Sequence, residues 1–257
     1  MQTKFNKVSE WLNVNKLSLN IKKTKFILFT SSNKKPKHEI KLSINDGDIK
    51  QVKNTIFLGI IIDECLTWSE HIAHVVKKIS RASGIIVKIR HFLSRNAMKL
   101  IYYALVYPYL IYGNLISGST YKSRVQKLLN VQKKIIRLIT FKSYLEHAEP
   151  IFKELGILNI FQINDSLTAM FMFRYYHLEN LPEVFENYFV TNNQIHQHNT
   201  RNASKLHKAS KRTNYAKYTL RNKGIDVWNE LEPKFKDIKN FYIFKKQIKQ
   251  RIMKTHA

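Results

Sequence analysis

The chain of 257 residues has a single cysteine, Cys65. A lone thiol excludes an internal disulfide and a multi-cysteine zinc module, and it fits a reducing, intracellular setting, cytoplasmic or nuclear. Glycine (7) and proline (5) are scarce, which argues against wholesale disorder. Acidic side chains are also few, 18 Asp and Glu against 44 Lys and Arg. No apolar run is long enough to cross a membrane. The longest, "LIYYALVYPYLIY" at 100–112, is rich in tyrosine and interrupted by Pro108, and it falls short of the roughly 18 residues a spanning helix needs. A membrane-surface protein would gather its charge on one amphipathic segment, whereas basic residues here recur on several. Residues 1–15 lack the charged start and apolar run of a secretory leader. No Asp-Asp pair occurs anywhere in the sequence.

What is present is a core and a surplus of positive charge. Hydrophobic residues make up 44% of the chain and aromatics 12%, while the formal net charge is +26. An imbalance of that size repels itself, so it points to a polyanionic partner, and nucleic acid is the first choice. The charge is unevenly placed: +19 over 1–145, −5 over 146–190 and +12 over 191–257.

The pattern along the chain predicts an α+β fold, mainly helical, with a small antiparallel sheet followed by helices. Residues 4–13 read as a short helix. Strands are expected at 16–20, 24–30, 38–44 and 54–63, with a turn signal at Asn45-Asp46-Gly47-Asp48. From Thr67 the period changes to helical, and Thr67 with Glu70 has the form of a capping box. Ile72, Val75, Val76, Ile79, Ala82, Ile86 and Ile89 then share one face, and Lys77, Arg81 and Lys88 another. A second helix is expected after Ser94. A third, 121–140, pairs an apolar face (Val125, Leu128, Leu129, Ile135, Ile136, Ile139) with a basic one (Lys127, Lys133, Lys134, Arg137). An amphipathic helix at about 161–178 would use Ile163, Leu167, Met170, Phe171 and Arg174 or Tyr175 as its inner face. Residues 190–214 read as a basic polar loop or mobile arm. Val227, Trp228 and Leu231 are expected to face inward, and a last helix carries Phe241, Phe244, Ile248 and Ile252.

Four motifs in order resemble the C-terminal part of the reverse transcriptases of jockey-like non-LTR retrotransposons. The first is Asn15-Lys16-Leu17-Ser18-Leu19-Asn20-Ile21-Lys22-Lys23-Thr24, similar to a palm segment that follows the catalytic aspartates. The second is Phe57-Leu58-Gly59, which resembles the primer-grip hairpin. The third runs from "LTWSEHIAHVVKKISRASG" through "KLIYYALVYPYLIYGN" to "VQKLLNVQKKIIRLIT" and is similar to the helical thumb. The fourth, "HAEPIFKELGILNIFQIND" to "GIDVWNEL", resembles the family's C-terminal region. The resemblance implies a palm piece at 1–66, a thumb at 67–145 and a C-terminal region at 146–257 that contains the arm at about 190–214. Two departures stand out. Ser117 occupies roughly the place where the family commonly has a Trp, and the Tyr-Xaa-Asp-Asp turn that supplies metal-binding carboxylates has no counterpart.

The resemblance implies roles for named residues. Lys23 would be a proton donor to the leaving pyrophosphate, in a complete polymerase only; the plainer reading of Lys22 and Lys23 is a solvated basic turn. Phe57, Leu58 and Gly59 would hold the primer end. Lys77, Arg81, Lys88, Lys127, Lys133, Lys134 and Arg137 would contact RNA and an RNA–DNA hybrid through phosphates and 2′-hydroxyls. No metal site is expected in this chain: His71 and His74 on one helix face, and His196, His198 and His207 in the arm, match no zinc spacing. Mg2+ is implied only for the complete parent polymerase. Two rivals stay open, a repurposed nucleic-acid-binding module without catalysis and an inactive relic of such an element.

Overall fold

In a computed structural model, residues 2–31, 40–44, 47–177, 181–195 and 201–255 are described. The chain divides after His71 into two units. The first starts with α1 (Gln2–Val14), which ends in a Schellman motif. The Leu17 amide donates to the Leu12 carbonyl at 2.9 Å and the Lys16 amide to Asn13 at 3.0 Å, while Lys16 takes the left-handed conformation at φ 57°. Residues 16–20, expected as a strand, are therefore the helix stop and the loop that follows it. Asn20 then organises the next turn. Its carbonyl accepts from the Lys23 and Thr24 amides and from the Thr24 hydroxyl at 2.8 Å, and its side chain accepts from the Lys23 amide.

Only Lys25–Phe26 of the expected 24–30 strand enters a sheet, as β1. It pairs in parallel with β3 (Gly47–Gln51), which pairs antiparallel with β2 (Leu42–Ile44). Residues 38 and 39, and Asn45 and Asp46 of the turn signal, lie outside the described residues. Leu42 and Ile49 face each other in register and are buried, with Phe5, Leu19, Phe26 and Ile40 packed around them. The segment 54–63 is not one strand but a hairpin, β4 (Asn54–Phe57) and β5 (Ile60–Asp63), with Phe57 opposite Ile60. Leu58 and Gly59 form its two-residue turn with φ 47° and 78°. Both angles are positive, as a type I′ turn requires.

Beyond the hairpin, Asp63 holds the entry to α2 (Ser69–Ile89). Its carboxylate accepts from the backbone amides of Cys65, Thr67 and Trp68, at 3.2, 2.9 and 2.8 Å. Those bonds hold Leu66 and Trp68 at positive φ. At the expected Thr67–Glu70 capping box, the Thr67 hydroxyl accepts from the Ser69 amide at 3.4 Å and the Glu70 carboxylate accepts from the Asn54 side-chain amide at 2.7 Å.

From Ile72 onward the second unit is helical. It holds the rest of α2, then α3 (Arg95–Leu105), α4 (Tyr107–Ile111), α5 (Asn114–Ser117), α6 (Lys122–Ile139), α7 (Ala148–Leu155) and α8 (Ile160–Tyr176). It closes with α9 (Asn192–Ile195), α10 (Asn214–Tyr218), α11 (Leu220–Asn229), α12 (Pro233–Lys236) and α13 (Phe241–Thr255). Ser94 caps α3, its hydroxyl accepting from the Ala97 amide. The helix breaks at Val106, because Pro108, in the first turn of α4, has no amide to donate to the Ala104 carbonyl.

Helix α8 is the centre, in contact with α4, α5, α6, α11 and α13. It is buried nearly all round, including Gln162, Asn164, Ser166 and Thr168, so the expected one-sided face is replaced by a core helix. Asn159 and Gln162 form a true capping box at its start. Phe173 stacks on Phe244 with centroids 4.4 Å apart. One part of 190–214 is docked, around Thr191 and Leu206, while 208–213 are exposed. Thr191 bridges Leu206, Leu206 is buried, and Asn229 of α11 brackets it with two hydrogen bonds of 3.0 Å.

Candidate nucleic-acid interface

Helix α2 buries Ile72, Val75, Ile79, Ala82 and Ile86 and leaves Lys77, Arg81 and Lys88 exposed. Separations of four and seven residues place these three cations in one stripe. Helix α6 buries Val125, Leu128, Leu129, Ile135, Ile136 and Ile139, as the periodicity predicts. The basic residues on its other side divide into two kinds. Lys127 and Lys134, seven apart, are exposed. Lys133 lies 3.9 Å from Glu149, and Arg137 donates to the Glu146 carbonyl at 2.8 Å with its guanidinium over the Tyr144 ring. Those two side chains brace α7 and the loop after α6, so of these four cations Lys127 and Lys134 are the ones presented to solvent.

Sequence reasoning missed the polar groups that align these helices. Gln132 is fully buried on the apolar face of α6. It donates to the Tyr102 hydroxyl at 2.8 Å and the Leu158 carbonyl at 2.9 Å, and accepts from the Ile160 amide at 2.9 Å. One side chain thus ties α6 to α3 and to the start of α8. Burial pushes the Tyr102 phenol far above its usual range, partly opposed by the hydrogen bond from Gln132. A second polar centre joins α5 to α8. Asn164 donates to Asn114 at 2.7 Å, and Lys223 of α11 reaches Asp165 at 2.6 Å and the Asn164 carbonyl oxygen of the side chain. Gly118 leaves room for that centre; a Cβ there would lie 2.5 Å from the Asn164 amide and 2.6 Å from the Asn114 carbonyl. The signal for Gln132 was present, a polar residue four positions from both Leu128 and Ile136 in an apolar stripe.

In the first unit Lys23 is exposed in the Asn20–Thr24 turn. Ile56, Phe57 and Leu58 at the hairpin tip are exposed too. The apolar residues expected to anchor this turn therefore project outward from it. Among the described residues no group of three His, Cys, Asp or Glu could hold a metal ion. His71 accepts the Ile61 amide through Nδ1, His207 pairs with Asn192 at 3.0 Å, and His74 is exposed; His196 and His198 lie outside the described residues. No described helix is long and apolar enough to cross a membrane.

Two known proteins share sequence with this chain, both from Drosophila melanogaster. The RNA-directed DNA polymerase from mobile element jockey is 29% identical over 120 residues, 45% of this chain and 13% of that protein. The likeness is to RNA-directed DNA polymerases of mobile elements. The probable RNA-directed DNA polymerase from transposon X-element is 23% identical over 156 residues, 60% of this chain and 17% of that protein. Together they support a relationship to the reverse transcriptases of non-LTR retrotransposons, of which the chain matches less than a fifth of the length. No family model matches the chain, and no solved structure does.

Proposed function

We propose that this chain is the template–primer-holding part of an RNA-directed DNA polymerase of a non-LTR retrotransposon. The observation that carries this reading is the pair of basic stripes on α2 and α6, each backed by a buried, mainly apolar face, in a chain of net charge +26. Lys77, Arg81, Lys88, Lys127 and Lys134 would meet the phosphates of an RNA–DNA hybrid without reading bases. The Leu58-Gly59 turn, with Phe57 beside it, is the candidate primer grip. Its exposed apolar tip suits contact with sugar and base faces at a primer end. Lys23 is the candidate proton donor in a complete polymerase.

Mg2+ does not fit the residues described here, which offer no carboxylate cluster, so no chemical step is assigned to this chain. We expect it to extend no primer by itself; incorporation that disappears on Lys23→Ala would contradict this. The binding reading is tested by titrating an RNA–DNA hybrid at several salt concentrations. Engagement of about five phosphates gives a log–log slope of roughly −4. Changing Lys77, Arg81 and Lys88 together to Gln should lower that slope by about two to three. An unchanged slope and affinity would remove α2 from the interface.

A further inference from the structure

The C-terminal ends of α2 and α6 meet, and the meeting place is aromatic. The His91 ring packs edge-on against Phe141 with centroids 5.4 Å apart, and the Arg90 guanidinium lies 5.0 Å from the same ring. Beside them Arg137 lies 5.6 Å from the Tyr144 ring. These side chains are turned to solvent: Phe141 is 55% exposed, Tyr144 76% and Phe92 85%, with Leu145 beside them at 87%.

Phe141 sits where a helix usually places glycine. The Lys142 amide donates to the Arg137 carbonyl at 3.0 Å, which closes a Schellman motif on α6 with Phe141 at its left-handed position, φ 57°. A bulky residue in that region is an outlier with a backbone cost. Burial of the ring does not offset that cost, because the ring is largely exposed. Strain held at an exposed aromatic points to a use for the ring outside the fold.

Charge identifies the occupant. The carboxylates nearby are taken up internally, Glu146 by Lys142 at 2.9 Å and Glu154 by Arg95 at 2.6 Å, which leaves Arg90 and Arg137 as the charge beside the rings. Exposed aromatic rings, each with a guanidinium over one face, at the end of two basic helices, match an unpaired nucleobase with its phosphate. We propose that Phe141 and Tyr144, with His91, Arg90 and Arg137, form a stacking platform for unpaired bases of a single strand of RNA or DNA. This rests on the nucleic-acid reading above and adds a site that phosphate contacts do not require.

The test compares the full chain's affinity for a 20-nucleotide oligo(dT), for oligo(rU), and for an abasic strand of equal length and charge, by fluorescence anisotropy. The platform predicts that base-bearing strands bind about tenfold or more tightly than the abasic one. Phe141→Leu with Tyr144→Leu, which keeps apolar bulk and removes both rings, should bring them down to the abasic level and leave abasic binding unchanged. Tighter binding of oligo(rU) than of oligo(dT), or the reverse, identifies which strand the platform serves. Equal binding of abasic and base-bearing strands overturns the platform while leaving the phosphate-binding reading intact. No binding of any strand or of the hybrid overturns both. A protein that sediments as a dimer, and as a monomer once both rings are leucine, overturns the platform in favour of a contact between two copies.

Discussion

The two units are built on different economies of burial. In the first, the buried apolar residues described are Leu42 facing Ile49, with four half-buried neighbours, and Trp68. Val8, Trp11, Val14 and Leu17 lie exposed on and after α1, and Ile56, Phe57 and Leu58 at the hairpin tip. In the second, α8 is wrapped by helices and Tyr102, Phe173, Phe244, Ile79, Ile135 and Ile136 are fully buried. Hydrophobic stabilisation scales with apolar area removed from water, so most of it resides in the second unit. The first unit keeps its shape largely through local polar devices: a Schellman stop at Lys16, the Asn20–Thr24 turn, and Asp63 gripping three amides. Exposed apolar residues on such a unit make a surface for contact.

The comparison breaks most readily at Gln132. Gln132→Leu should destabilise the chain by about 3–5 kcal/mol, since three buried polar partners lose their bonds, and chemical denaturation followed by circular dichroism measures it. A loss below about 1 kcal/mol would mean the helical core does not depend on this hub. Gly118→Ala should cost about 1–3 kcal/mol by overpacking against Asn114 and Asn164, with Trp228 fluorescence reporting the change. Asp63→Ala is a sharper probe, because its effect should stay local. Releasing three amides costs roughly 1–2 kcal/mol at a half-exposed site. Amide exchange should quicken at 64–71 and remain unchanged in α8; faster exchange throughout would show that the units unfold as one.

Alkaline pH separates the units by composition. Residues 1–71 contain no tyrosine, whereas burial raises the phenols of Tyr102, Tyr103, Tyr107 and Tyr176 in the second unit. A phenol whose folded pKa lies above its unfolded value stabilises the fold fully below the unfolded value, about 10. That contribution is lost as pH climbs from there through the folded value. Absorbance at 295 nm should therefore show a set of tyrosines that ionise only as helical signal disappears. Smooth titration of every phenol near pH 10, with the helices intact, would contradict the buried assignment.

The sequence made the helical unit legible because a 3.6-residue apolar period leaves little choice: all six apolar residues predicted for the inner face of α6 are buried, and a helix does begin after Ser94. The failures have two causes, one local and one tertiary. In 16–20 and 54–63 apolar alternation suggested strands, but backbone hydrogen bonds of a helix stop and a two-residue turn took precedence. Helix α8 has an amphipathic pattern in sequence, and only tertiary partners reveal its polar residues Asn164, Ser166 and Thr168 as core. Lys133 and Arg137 looked equivalent to Lys127 and Lys134 for the same reason, since Glu149, Glu146 and Tyr144 come to them from the following loop and α7. Resemblance to a polymerase supplied what the period could not, a reason for basic faces on α2 and α6.

The most direct test of that reason is a lysine footprint. Acetylation of the full chain, with and without a saturating RNA–DNA hybrid, reads the accessibility of every lysine at once by mass spectrometry. Selective protection of Lys77, Lys88, Lys127 and Lys134, with Lys4 and Lys7 of α1 still reactive, is the predicted result. Uniform protection, or none on α2 and α6, would contradict an interface built on their basic stripes.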